Sequence, residues 1–407
     1  MCFRELTLRV FLAAIGVSYL LTVLGSQPAY AQAKSEGAEK MPEVRRTLPL
    51  NKFYDTPSPL AQGKPGDLIR SAEFDEYNLP FGVLAVRILY HSRSASGQDV
   101  AASGVVLYPD AKAPAGGWPV IAWAHALNGV ARQCAPSLAR NVQHGPFLSM
   151  YVNLGYAVVA TDYTGLGTSF RNAFSDMQSN ATDVVYSVPA ARAAVPQLDS
   201  RWVAIGIGQG GSAVVGVAEL EREIRDPNYL GGIAISALDD LQDRYEHSGT
   251  HPGYEMPLFL AYGIKTVYPE FEVKDILTDK ALALYPQIEQ ACGEPGGESK
   301  LSPAEMLKPN WESNKFVRQY FSRNSPGHKP AQGPMLVISS ELDPTVPIQR
   351  TAQVITRMCK QGGHVQFERY PQSETGRVFG DSVRDQISWI QARFAGRPAA
   401  GNCSEQH

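Results

Sequence analysis

The sequence predicts an α/β domain, a mostly parallel central sheet with helices on both faces and an inserted cap. Three observations predict it. Short apolar runs bounded by turn residues alternate with stretches of helical period along most of the chain. Those runs are continuously apolar rather than half polar, as strands covered on both sides must be. Between residues 238 and 330 the rhythm stops, in a segment rich in Tyr, Pro and Glu, and afterwards it resumes.

The elements follow in order. Residues 1–31 have the layout of an export signal, with Arg4 and Arg9 at the start of an apolar run and Ala29-Tyr30-Ala31 as a small-x-small cleavage site. The run holds about 15 residues, short of the roughly 20 a membrane helix needs. No cysteine follows it, so no stable membrane anchor is expected, and the destination is the periplasm or the medium. Residues 32–66, rich in Pro, Gly and polar residues, read as a mobile leader or an N-terminal wrap.

Residues 83–90 and 100–108 are β-rich runs joined by a polar turn, an antiparallel hairpin. A buried strand over 118–125 leads through a helix over 147–154 to a strand over 156–161, which ends at Asp162. The helical pattern over 181–195 is broken by Pro189. A strand before Gly206 and a helix from Ser212 frame a glycine-rich turn, and a strand over 231–237 follows. Past the cap come a strand over 334–339, a helix from Ile348, a strand over 364–370 and a last helix over 384–394. The core thus comprises residues 67–237 and 331–407, with the cap at 238–330.

Composition narrows the function. A net charge of −3 over 407 residues, with no basic cluster, argues against a nucleic-acid partner. Removing the signal with its Cys2 leaves Cys134, Cys292, Cys359 and Cys403, an even number that suggests two disulfides in an exported chain. Cys359 and Cys403 flank the last strand–helix unit and are paired here, which leaves Cys134 with Cys292. No metal site and no cofactor are expected.

The turn Gly206-Ile207-Gly208-Gln209-Gly210 carries the functional question. It resembles the Gly-x-Ser-x-Gly nucleophile elbow, which exposes a serine oxygen between a strand and a helix. Both flanking glycines are present, but the nucleophile position is Gly208. With His125-Ala126-Leu127-Asn128-Gly129, Asp162-Tyr163-Thr164-Gly165-Leu166-Gly167 and Leu342-Asp343-Pro344-Thr345-Val346-Pro347, the chain resembles the secretory lipase family of α/β-hydrolases, in its bacterial branch. The likeness covers roughly residues 80 to 395.

That resemblance implies a triad in the order Ser, acid, His. It places the acid at Asp343, just past an apolar strand. The family pattern Tyr-Pro-x-x-x-His falls on Tyr370-Pro371-Gln372-Ser373-Glu374-Thr375, so Thr375 holds the base position. His364 opens the preceding strand, roughly 20 Å from its far end, and cannot substitute. The oxyanion donors would be the N–H of Gln209 with one from Ala126 or Leu127, where family members usually have His-Gly.

Losing nucleophile and base together implies an inactive relative that holds a lipophilic or ester ligand. Three alternatives stay open. Water attack assisted by Glu374 and Asp343 would make the chain a working esterase of non-standard mechanism. The fold would serve only as a scaffold in a secreted interaction protein. Gly206, Gly208 and Gly211 also satisfy a dinucleotide fingerprint, with Asp239 as the ribose partner, although the hairpin and cap fit that reading poorly.

Overall fold

A computed structural model describes residues 47–407 apart from 238–239, 247–254, 291, 294–299, 344, 374–375, 402 and 404–407. The expected export signal lies outside the described residues.

The strands are β1 (Leu68–Glu73), β2 (Val83–Arg93), β3 (Asp99–Pro109), β4 (Trp118–Ala124), β5 (Ala157–Thr161), β6 (Leu198–Ile207), β7 (Tyr229–Ile235), β8 (Pro334–Ser340) and β9 (His364–Tyr370). They form one sheet in the order β1-β2-β3-β5-β4-β6-β7-β8-β9. The hairpin of β2 and β3 pairs in unbroken register from Val83↔Pro109 to Arg93↔Asp99. From β5 through β4 to β9 every neighbour is parallel. The chain crosses from one side of β4 to the other between β5 and β6, a topological switch whose crevice opens at the strands' C-terminal ends.

The parallel strands are covered on both faces because their side chains alternate between two cores. In β6, Trp202 and Ala204 enter one core while Val203 and Ile205 enter the other. On the first face lie α2 (Met177–Ala194), α3 (Gln209–Ile224) and α9 (Ile348–Lys360); on the second lie α1 (Gly145–Asn153), α10 (Val378–Asp381) and α11 (Val383–Phe394). Each Val or Ile buried this way contributes about 1.5–3 kcal/mol.

Between β7 and β8 run α4 (Leu241–Glu246), α5 (Met256–Val267), α6 (Asp279–Leu284), α7 (Pro303–Met306) and α8 (Lys315–Arg323). They build a third core of their own, including Leu258, Phe259, Ile276, Val317 and Tyr320. That core also takes in Val130 and Phe174, with Leu127 packed against it, from the loops after β4 and before α2. The segment read as a cap therefore packs on the C-terminal edge of the sheet.

One expectation is corrected and one alternative is decided. Pro189 does not break the helix: α2 runs through it, and its ring lies against Gly66, where an added Cβ would stand 2.4 Å from Pro189 Cγ. Burial of Val184, Val185, Val188 and Ala191 around the proline outweighs the missing hydrogen bond. The helix also starts earlier than its apolar period, because Asp176 caps it by accepting from the Ser179 N–H at 2.8 Å. Of the two readings of residues 47–66, leader or wrap, the contacts favour the wrap. Leu48 N–H donates to Leu138 O at 2.6 Å, and the buried Tyr54 hydroxyl bonds Ser137 Oγ at 2.8 Å. The described part of the leader is a wrap, held by one buried aromatic ring.

Disulfides join Cys134 to Cys292 and Cys359 to Cys403. The first ties the loop after β4 to the cap segment; the second ties the end of α9 to the C-terminal residues. Among the described residues no helix is long and apolar enough to cross a membrane.

Candidate active site

Gly208 caps α3 directly after β6, at φ 56° and ψ −123°. Side chains rarely adopt that conformation, which is the strained turn an exposed nucleophile requires. The turn is held from both sides: Gly208 N–H donates to Ile235 O at 2.9 Å, and Gly208 O accepts from Gly211 N at 3.0 Å. Its flanking glycines are sterically obligatory. A Cβ on Gly206 would lie 2.2 Å from Gly210 O, and one on Gly210 would lie 1.9 Å from Ala124 O. At Gly208 itself an added Cβ would meet only Ala126 Cβ, at 3.7 Å. The elbow is intact and its apex has space for a side chain that the chain lacks.

Strain gathers around this turn. Tyr163 after β5 (φ 65°), Ser175 before α2 (φ 56°) and Ser236 after β7 (φ 45°) all hold left-handed backbone without being glycine. Each has a local anchor. Tyr163 OH donates to His125 O at 3.1 Å and its ring stacks on His125 at 4.2 Å. Ser175 donates through its N–H (3.0 Å) and its hydroxyl (3.3 Å) to Gln209 Oε1, which pins the first residue of α3. Ser236 N–H donates to Ile338 O at 2.9 Å.

Gln209, at the first position of α3, has a backbone N–H with no intrahelical acceptor, as helix geometry demands. Ala126 and Leu127 begin the loop after β4, next to the elbow. The Ala126 methyl is the atom facing the empty apex, and 3.7 Å is ordinary van der Waals contact. His125 is a brace. It is buried, with Nδ1 2.6 Å from Ala126 O and Nε2 3.1 Å from Asp162 O. Burial pushes its pKa down to about 4, so it is neutral at pH 7. Asp162 is likewise structural: its carboxylate accepts from Ser137 N (2.7 Å) and Ser103 Oγ (2.6 Å). Ser212 donates to Ala237 O at 2.8 Å and does not face the apex as a free hydroxyl.

Asp343 follows β8 on the same edge of the sheet. Its Oδ1 accepts from Thr345 N (2.9 Å) and Val346 N (3.0 Å), which fixes the carboxylate in its turn. Its Oδ2 is buried and has no hydrogen-bond partner among the described residues. The two carboxylate oxygens therefore differ, one held by the turn and the other without a partner among the described residues. Thr375 and Glu374 lie outside the described residues. The chain before them is tied to the turn that precedes Asp343: Ser340 Oγ donates to Ser373 O and accepts from Leu342 N at 2.9 Å. His364 sits at the opposite end of β9, exposed, with Nε2 2.8 Å from Ala399 O.

Sequence reasoning missed the positioning residues Ser175, Ser236 and Ser340. Serine in a turn is unremarkable by spacing, and only the long-range partner gives each its role.

The elbow helix carries a pH-dependent element. Burial holds the carboxyls of Glu219 and Glu221 up at about 7, against an ordinary 4.5. The folded state therefore keeps protons that the unfolded chain releases between pH 4.5 and 7, and their contribution to stability falls as pH rises through that window. His125 acts in the opposite sense between about 4 and 6.5, so a difference measurement is needed. Glu221→Gln should gain stability relative to the parent between pH 5 and pH 8, on the order of 1 kcal/mol. Urea midpoints at the two pH values check it; an unchanged difference contradicts it.

No family model matches the chain. It is 24% identical over 408 residues to Lipase 6 of Candida albicans, covering 86% of this chain and 82% of that protein. Its structure is similar to Candida antarctica lipase A in its closed state, with TM-score 0.73, 18% identity and coverage of 88% of this chain and 89% of that one. It is also similar to the ligand-bound rice cell wall degrading esterase LipA from Xanthomonas oryzae, with TM-score 0.65, 19% identity and coverage of 81% and 98%. The chain has the α/β-hydrolase fold, and its likeness runs to lipases and esterases of that fold.

Proposed function

We propose that this is an exported member of the secretory-lipase group that has lost ester hydrolysis and holds a lipophilic or ester ligand. The observation that carries the reading is the intact, strained elbow with glycine at its apex. A hydrogen there cannot attack a carbonyl, and removing a triad nucleophile or base alone costs about 10⁶-fold in turnover. The vacant base position Thr375 acts on the same unit, so the two losses do not add. The resemblance supplies the roles: Asp343 as acid, and Gln209 with Ala126 or Leu127 as oxyanion donors. Support for a lipophilic ligand comes from the cap core, which reaches Leu127 beside the elbow. Two disulfides support export.

One observation favours a second reading. Oδ2 of Asp343 has no hydrogen-bond partner among the described residues, and a carboxylate oxygen in that state would orient an attacking water. Hydrolysis of p-nitrophenyl esters of short and long chain separates the two. No turnover above heat-denatured protein is expected.

A further inference from the structure

On the cap, α8 divides its residues cleanly. Val317, Tyr320 and Phe321 are buried in the cap core. Lys315, Arg318, Gln319, Ser322 and Arg323 fall at i, i+3, i+4, i+7 and i+8, which is one helical face. That face forms one wall of an open cleft of about 730 Å³. Gln178 in the first turn of α2 and Tyr268 just after α5 complete it. Every lining side chain can donate a hydrogen bond, and no carboxylate lines the cleft. The chain as a whole carries 40 acidic against 37 basic residues, so this is a local inversion of its charge balance.

The three cations play different parts. Arg323 is held in place by Asp176, with Nε 2.7 Å from Oδ2 and Nη2 3.1 Å from Oδ1. Its charge is matched by that pair, but its position at the cleft is fixed. Lys315 and Arg318 have no carboxylate within ion-pair distance among the described residues. Lys315 Nζ stands over the Phe316 ring at 4.6 Å. Two unmatched charges therefore flank a preset guanidinium, amides and hydroxyls. Lys315 and Arg318 are less than one helical turn apart, about 5 Å along the axis, close enough to converge on one anion. Two unmatched positive charges are balanced by a dianion and not by a single carboxylate, and charge-assisted bonds to a phosphate are the strong ones.

The geometry points to this cleft as a binding site for a phosphate group, carried by a small soluble phosphate compound or by a phospholipid headgroup. It is separate from the elbow and does not depend on the function proposed there.

The test is calorimetric titration of the full chain with inorganic phosphate and with glycerol phosphate, at constant ionic strength set with chloride. A parallel arm measures binding to phosphatidylglycerol vesicles against phosphatidylcholine vesicles. The variant is Lys315→Gln with Arg318→Gln, both exposed, so the urea midpoint should stay unchanged; Lys112→Gln is the surface control. Saturable binding that weakens about tenfold or more in the double variant, but not in the control, is expected. If the loss is seen with the soluble phosphates, the ligand is a small phosphate compound; if only with the anionic vesicles, it is a headgroup. Absence of saturable binding in every arm, or binding that the double variant keeps, overturns the assignment.

Discussion

Gly208→Ser combined with Thr375→His should restore measurable ester hydrolysis, exceeding either single variant by about 10²-fold or more. Serine alone offers an unactivated hydroxyl, a weak nucleophile at neutral pH. Histidine alone has nothing to deprotonate. Together they would recreate the unit that the proposed roles of Asp343, Gln209 and Ala126 or Leu127 require. The apex has room, since an added Cβ at Gly208 meets only Ala126 Cβ at 3.7 Å. Asp343 keeps one buried carboxylate oxygen without a partner among the described residues. Ser340 links the acid loop to the loop that leads to position 375. Gly208→Ser should lower stability by only about 1 kcal/mol, the order of a single strained backbone residue. Hydrolysis rates and urea midpoints of both singles and the double check this. A folded double variant no better than either single would show that Thr375 is not the base position or that the oxyanion donors have moved.

The flanking glycines should behave very differently from the apex. Gly210→Ala would press a methyl to within 1.9 Å of Ala124 O, and Gly206→Ala would press one to within 2.2 Å of Gly210 O. Those neighbours are backbone atoms of β4 and of the elbow itself, which cannot swing aside. Each substitution should destabilise the fold by about 3 kcal/mol or more. Gly208→Ala, with strain but no clash, should lose about 1 kcal/mol. Urea denaturation of the three variants gives the comparison. Equal losses at all three positions would mean that the elbow is not built as described.

The positions of β2 to β9 and the placement of the elbow follow from features that are local in sequence, whereas β1 and the order of the strands do not. Buried strands announce themselves as continuous apolar runs, and the hairpin of β2 and β3 as two β-rich runs around a polar turn. The glycines at 206 and 210 mark close backbone approach by residue type alone. What was illegible is tertiary. Pro189 reads as a helix breaker until its ring is seen against Gly66. Tyr54 sits in a Pro- and Gly-rich stretch whose composition leaves leader and wrap both open, and only its bond to Ser137, 83 residues away, decides for the wrap. Asp343 was singled out by its place after an apolar strand. The division of its two oxygens, one bound and one without a partner among the described residues, required coordinates.

The central claim is that the chemistry of the elbow is gone while its architecture remains. Steady-state hydrolysis of p-nitrophenyl esters across chain lengths, by the purified chain and its Asp343→Ala variant, tests it most directly. The account predicts rates for both that match heat-denatured protein. Turnover by the parent that Asp343→Ala abolishes would contradict it and make this chain an esterase of a different mechanism.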